Sequence, residues 1–187
     1  MKIGTKSILF GAHCFFLHPL FVALAWNRLY GFPLDPRLWI AFFVHDIGYW
    51  GKPNIDGPEG ETHVELGAKI MSIFGKEWAD LSMYHSRYYA KKNNAKPSKL
   101  CFADKLSFAC TPHWLYLPMV NFTGEIYEYL KNGKKAETKH WKLVEGQKTW
   151  HLQLCKYMIK WVAKHKNGDI DTWTNPNRHA IDRSQYF

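Results

Sequence analysis

Apolar and aromatic positions recur along the chain at helical spacing, and the breaks between them carry glycine, proline or a capping side chain. A first helix is expected over residues 5–16, bent near Pro19 and continuing to Tyr30, where Gly31 is a natural stop. Asp35 followed by Pro36 reads as a helix start, a capping carboxylate with proline at the first helical position. That helix should run to Ile47. The stretch GYWGKPNIDGPEG is loop, rich in Gly and Pro. Helices over 59–74 and 76–90 follow, with Gly75 between them. KKNNAKPS reads as a basic turn, and Ser98 caps a helix over 99–110. Pro112 and Pro118 should break the chain before two more helices, PMVNFTGEIYEYLKN and KTWHLQLCKYMIKWVAKHK. No stretch alternates as a strand would. The polar, turn-rich end beyond Lys166 reads as an extended tail. The expected fold class is all-α, with a core unit over 1–112 and a C-terminal helical extension over 113–187 packed on it.

Composition changes this picture in three places. The 187 residues are 47% hydrophobic and 17% aromatic, which is enough for a packed core and excludes a disordered chain. The formal net charge is +9, so an anionic partner is expected, whether nucleotide, nucleic acid or acidic membrane. Cys14, Cys101, Cys110 and Cys155 form no CxxC pair and fit reduced thiols in a cytoplasmic protein better than a disulfide framework. Lys2 and Lys6 ahead of ILFGAHCFFLHPLFVALAW imitate a secretory signal, with Ala23-Leu24-Ala25 as its cleavage site. His13, His18 and Pro19 interrupt that apolar stretch and argue against both a signal and a membrane span.

The candidate chemistry lies in polar residues set among apolar ones. His18 sits in FFLHPLF, His45 and Asp46 in FFVHDIG, His63 in THVELGA, His85 in LSMYHSRYY and Asp104 in CFADKLS. A carboxylate in an apolar run is costly unless something neutralises it. Imidazole and carboxylate together suit Zn, Mn, Fe, Co or Ni, and bound cations would offset the buried carboxylates.

The order H…HD…H…H…D resembles the HD-domain metal-dependent phosphohydrolases, over roughly residues 5–112. HDIG is the usual form of the central motif, THVELGAKIM looks like its HGxxGAxxL segment, and MYHSRYY with FADKLS looks like the YH…ADK ending. The motif layout is most similar to the HD-type symmetric diadenosine tetraphosphate hydrolases, and more distantly to the HD-GYP cyclic dinucleotide phosphodiesterases.

The resemblance implies an HD-domain helical bundle and one or two divalent metals, with Mg a further candidate. His18, His45, Asp46 and Asp104 would hold one ion, and His63 and His85 a second, with Asp46 bridging ions about 3.5–4 Å apart. His13 competes with His18 for the first ligand position, but LHPLFVALAW aligns better with the family's first helix. The implied reaction is hydrolysis of a phosphoanhydride or phosphoester bond in a nucleoside polyphosphate or dinucleoside polyphosphate. Asp46 would position or deprotonate the attacking water, and Lys52, Arg87 and Lys105 would stabilise developing charge. HDIGK proteins carry a Lys where this chain has Tyr49, so Lys52 is a candidate replacement. Tyr49 and Trp50 could stack on a base, and Lys52 and Arg87 would contact phosphate. Cleavage of a cyclic di- or oligonucleotide is the alternative reaction. A non-catalytic nucleotide- or nucleic-acid-binding protein with structural metals is the alternative class. The C-terminal helices would cover the core or support a homodimer, and no membrane partner is expected.

Overall fold

A computed structural model describes residues 1–55, 57–135 and 146–167, the side chains of 131–135 excepted. The polar tail, Asp56 and Lys139 lie outside the described residues, as do the side chains of Lys131, Lys134 and Lys135. The described residues form helices and turns, with no strand among them. None of their helices is long and apolar enough to cross a membrane.

Helix starts fall where capping chemistry puts them. Asp35 accepts a hydrogen bond from the Arg37 amide at 2.9 Å and opens α3 (Pro36–Val44). Ser98 does the same for the Cys101 amide at the start of α8 (Lys99–Cys110). Three expected long helices are instead divided. The first is split into α1 (Ile3–Phe10) and α2 (His18–Tyr30), because Gly11 ends the first piece and Pro19 belongs to the opening turn of the second. The third becomes a single turn, α4 (Pro58–Glu61), then α5 (Val64–Met71) and a 3₁₀ turn over Ser72–Phe74. The fourth becomes α6 (Lys76–Met83) and α7 (Arg87–Lys92), with Ser86 capping the latter. In addition, α3 stops at Val44, and a 3₁₀ turn over Ile47–Tyr49 follows it.

The C-terminal pattern is corrected at two positions. Pro118 lies inside α9 (His113–Thr123) and does not break it. Gly124, at φ 85°, is the actual break, and α10 (Glu125–Lys135) begins beside it. The last described helix is α11 (Gly146–His165).

The main core lies between α2, α3, α8 and α11. Val22, Phe42 and Leu100 are fully buried there, and Trp161 and Val162 of α11 close the cluster. A second cluster joins Val120, Ile126 and Trp150 of α9, α10 and α11 to Ala12 and Phe108. Residues beyond 112 therefore contribute to the same packing as the helices before it. The four cysteines are free.

One polar group crosses this packing. Glu125 is fully buried, and its carboxylate accepts from Ser7 Oγ, from the Ala12 amide at 2.9 Å and from Thr123 Oγ1 at 2.6 Å. Burial pushes its pKa up, but His13, Ser7 and Thr123 outweigh burial and hold it below the usual carboxylate value. The contact fastens the start of α10 to the turn between α1 and α2. Glu125→Ala would leave buried donors without an acceptor, so it should lower unfolding stability by about 3 kcal/mol. Denaturant unfolding checks this, and a loss within the range of surface substitutions would contradict it.

Candidate metal centre

Five of the six expected ligands sit at helix ends or in the breaks between helices. His18 is the first residue of α2, and His45 and Asp46 follow the end of α3. His63 precedes α5, and His85 occupies the break between α6 and α7. Only Asp104 comes from mid-helix, in α8. The divided helices are what bring these side chains inward.

Helix ends also supply spare carbonyls. His45 Nδ1 lies 2.9 Å from the Phe42 carbonyl, and His63 Nδ1 lies 2.7 Å from the Gly60 carbonyl. His85 Nδ1 meets the Ser82 carbonyl in the same three-residue relation. A carbonyl only accepts, so each Nδ1 carries a proton, and in the neutral ring each Nε2 presents a lone pair. This backing by backbone carbonyls is typical of metal-ligating histidines.

The Nε2 atoms converge on Asp46. Its Oδ2 lies 3.2 Å from both His18 Nε2 and His45 Nε2, and Asp104 Oδ1 lies 3.3 Å from His18 Nε2. The other oxygen, Oδ1, lies 3.4 Å from His63 Nε2 and 3.3 Å from His85 Nε2. Two groups result, His18–His45–Asp46–Asp104 and Asp46–His63–His85, and each could hold a metal ion. Asp46 belongs to both.

The donor set fits a cation on two independent grounds. Asp46 Oδ2 is buried and makes no well-aligned hydrogen bond among the described residues. His63 Nε2 and His85 Nε2 lie 3.0 Å apart, two lone pairs facing each other beside a carboxylate. Burial and then His85 push the His63 pKa down to about 3, so His63 does not take up a proton there at neutral pH. A shared cation would relieve the contact.

The carboxylates are ionised despite their surroundings. Burial raises the Asp46 pKa, but the rings of His45, His13 and His18 outweigh it and hold the group well below the usual range. Asp104 is likewise held well below that range, where Lys105 and His18 overcome burial. For His18, burial lowers the pKa, and Asp104 and Asp46 more than reverse this, raising it to about 9.

Two glycines let the segments meet. A Cβ on Gly48 would fall 1.9 Å from the His63 carbonyl oxygen, and one on Gly67 would fall 2.6 Å from the Val44 carbonyl oxygen. Any side chain at either position would push the His63 segment or α5 away from His45 and Asp46.

The other expected site residues divide. Lys105 Nζ lies 2.9 Å from Asp104 Oδ2, at the edge of the first group. Burial lowers the Lys105 pKa, and Asp104 more than offsets it. Arg87 packs its guanidinium 5.0 Å from the centre of the Trp161 ring, a cation–π contact to α11. Lys52 Nζ donates to Thr62 Oγ1, next to His63. Trp50 is 58% exposed. Tyr49 does not have the open face expected for stacking on a base: it is buried, and its ring stacks on His63 at 4.0 Å and 6°. It braces a ligand instead. His13 stands apart from both ligand groups, with Nδ1 2.7 Å from Ser7 Oγ. Its link through Ser7 to Glu125 had no signal in the sequence, because the partners are 118 residues apart.

The raised His18 pKa sets a test. The folded value exceeds the ordinary 6.5, so this group's contribution to stability is full below pH 6.5 and is lost as pH rises through about 9. A metal at Nε2 displaces that proton. Metal-stripped protein should therefore lose stability between pH 6.5 and 9, and manganese-loaded protein should lose less. Equal slopes with and without metal would contradict the assignment of His18.

No family model matches this chain, and no curated protein or solved structure matches it.

Proposed function

We propose that the protein is a metal-dependent phosphohydrolase of the HD-domain type, acting on a nucleoside polyphosphate or dinucleoside polyphosphate. The observation that carries this reading is the division of Asp46, whose two oxygens face two separate histidine groups. A carboxylate placed this way would be shared by two ions, and a two-ion centre is suited to in-line displacement at phosphorus. The order of the six residues along the chain and the HDIG turn support the same family reading.

Bound divalent ions would supply Lewis acidity toward phosphoryl oxygens and lower the pKa of the attacking water. The chain's own residues do the rest. His18, His45, Asp46 and Asp104 would hold one ion, and Asp46, His63 and His85 the other. Asp46, kept ionised, can orient the water. Lys105 places an ammonium beside Asp104, where it can meet charge that builds on the phosphoryl group. Lys52 and Arg87 are further cations for the phosphate chain. Trp50, exposed next to the HDIG turn, is the ring open to a nucleobase.

Phosphate release should be measured on a panel of nucleotides, dinucleoside polyphosphates and cyclic dinucleotides, with Mn, Co, Fe or Mg added to stripped protein. The expected result is metal-dependent turnover of a polyphosphate, reduced more than about a hundredfold in Asp46→Asn and Asp104→Asn. Cleavage confined to cyclic dinucleotides would move the reading to a phosphodiesterase. Tight, steeply salt-dependent binding without turnover would mark a binding protein with structural metals. Full activity in folded Asp46→Asn would overturn the proposal.

A further inference from the structure

The network behind His13 is not used by the chemistry above. Ser7 has one hydroxyl proton, and its hydrogen bond to Glu125 Oε1 consumes it. The same oxygen lies 2.7 Å from His13 Nδ1, so Nδ1 is the donor in that bond. In the neutral ring this leaves the lone pair on Nε2. That atom makes no hydrogen bond among the described residues. The side chain is 19% exposed, its ring lies 5.7 Å from the His18 ring, and it lies 4.5 Å from Tyr49, which stacks on His63. The buried carboxylate of Glu125 thus fixes, through Ser7, an acceptor at the rim of the metal cluster.

An acceptor there needs a donor from the ligand. Ionised phosphate oxygens only accept. In a nucleotide held by its phosphate, the donors nearest that phosphate are the sugar hydroxyls, and those of the base lie farther away. We propose that His13 is a substrate-contacting residue, whose Nε2 accepts a hydrogen bond from a ribose hydroxyl of a nucleotide bound by its phosphate at the Asp46 cluster. Ser7 and Glu125 are its positioning residues. The site therefore selects ribonucleotides over deoxynucleotides, because a deoxy ligand displaces water from Nε2 and returns no donor. This inference rests on the phosphohydrolase reading.

The test compares ATP, 2′-deoxy-ATP and 3′-deoxy-ATP on the manganese-loaded full chain. Both kcat/KM and calorimetric affinity are measured. Wild type should disfavour one deoxy form by about ten- to a hundredfold. His13→Phe should erase the difference by weakening the ribonucleotide alone, while Ser7→Ala, which loosens the ring, should reduce it. A merely structural role for His13 would weaken all three ligands alike. No discrimination by wild type overturns the proposal even if the variants do not fold, and so does discrimination kept in His13→Phe. Affinity separates the two readings. Selective binding without turnover of any nucleotide sinks the hydrolase and keeps the His13 contact. Turnover without selectivity sinks the contact and keeps the hydrolase. Neither binding nor turnover overturns both.

Discussion

Asp46 is buried among imidazoles whose outer nitrogens are already committed to backbone carbonyls. Those commitments turn the inner nitrogens into acceptors, and the carboxylate between them is an acceptor too. Like groups crowded at such distances repel unless positive charge lies between them. The surrounding helices satisfy this on one side: His18, its pKa raised to about 9, takes up a proton between Asp46 and Asp104. His63, on the other side of Asp46, retains no such proton near neutral pH. The fold therefore presents one half of the cluster relieved by a proton and another whose donors could hold a cation. The rest of the architecture, including the broken helices and the glycine contacts, serves to assemble that arrangement.

Much of the centre was legible because its residues break local rules in the sequence. A His-Asp pair ending FFV, or an Asp inside CFADKLS, has no place in an amphipathic helix unless it faces a polar centre. The choice of His18 over His13 also agrees with the geometry, since His18 Nε2 faces both carboxylates and His13 joins neither ligand group. The helix boundaries were less legible. Periodicity carries through residues 59–74 and 76–90, yet the chain turns at His63 and at His85. Turning there frees carbonyls for the rings, an advantage that appears only when the segments meet. Tyr49 was misread for a related reason: its neighbour Trp50 is exposed, but the turn rotates Tyr49 inward onto His63.

The part least visible in advance is the contribution of the C-terminal helices. Glu125 reads as an ordinary acidic residue in the first turn of a helix, where the dipole favours it. In the fold it reaches back to the turn that leads into His18. Trp161 of α11 holds Arg87, two residues past His85. Helices with no ligand of their own thus press on the segments that carry ligands, and the orientation of the centre depends on chain far from it in sequence.

The close approach of Gly48 to the His63 carbonyl has a consequence for how this scaffold can vary. The contact brings together the two ends of the segment between them. Lengthening a loop whose ends already touch adds little to its closure entropy. Insertions between Tyr49, which stacks on His63, and Gly60, whose carbonyl meets the His63 ring, therefore cost little, and the choice of ligand can drift with them, while the approach of the His45–Asp46 turn to His63 stays anchored by the methyl group that Gly48 lacks.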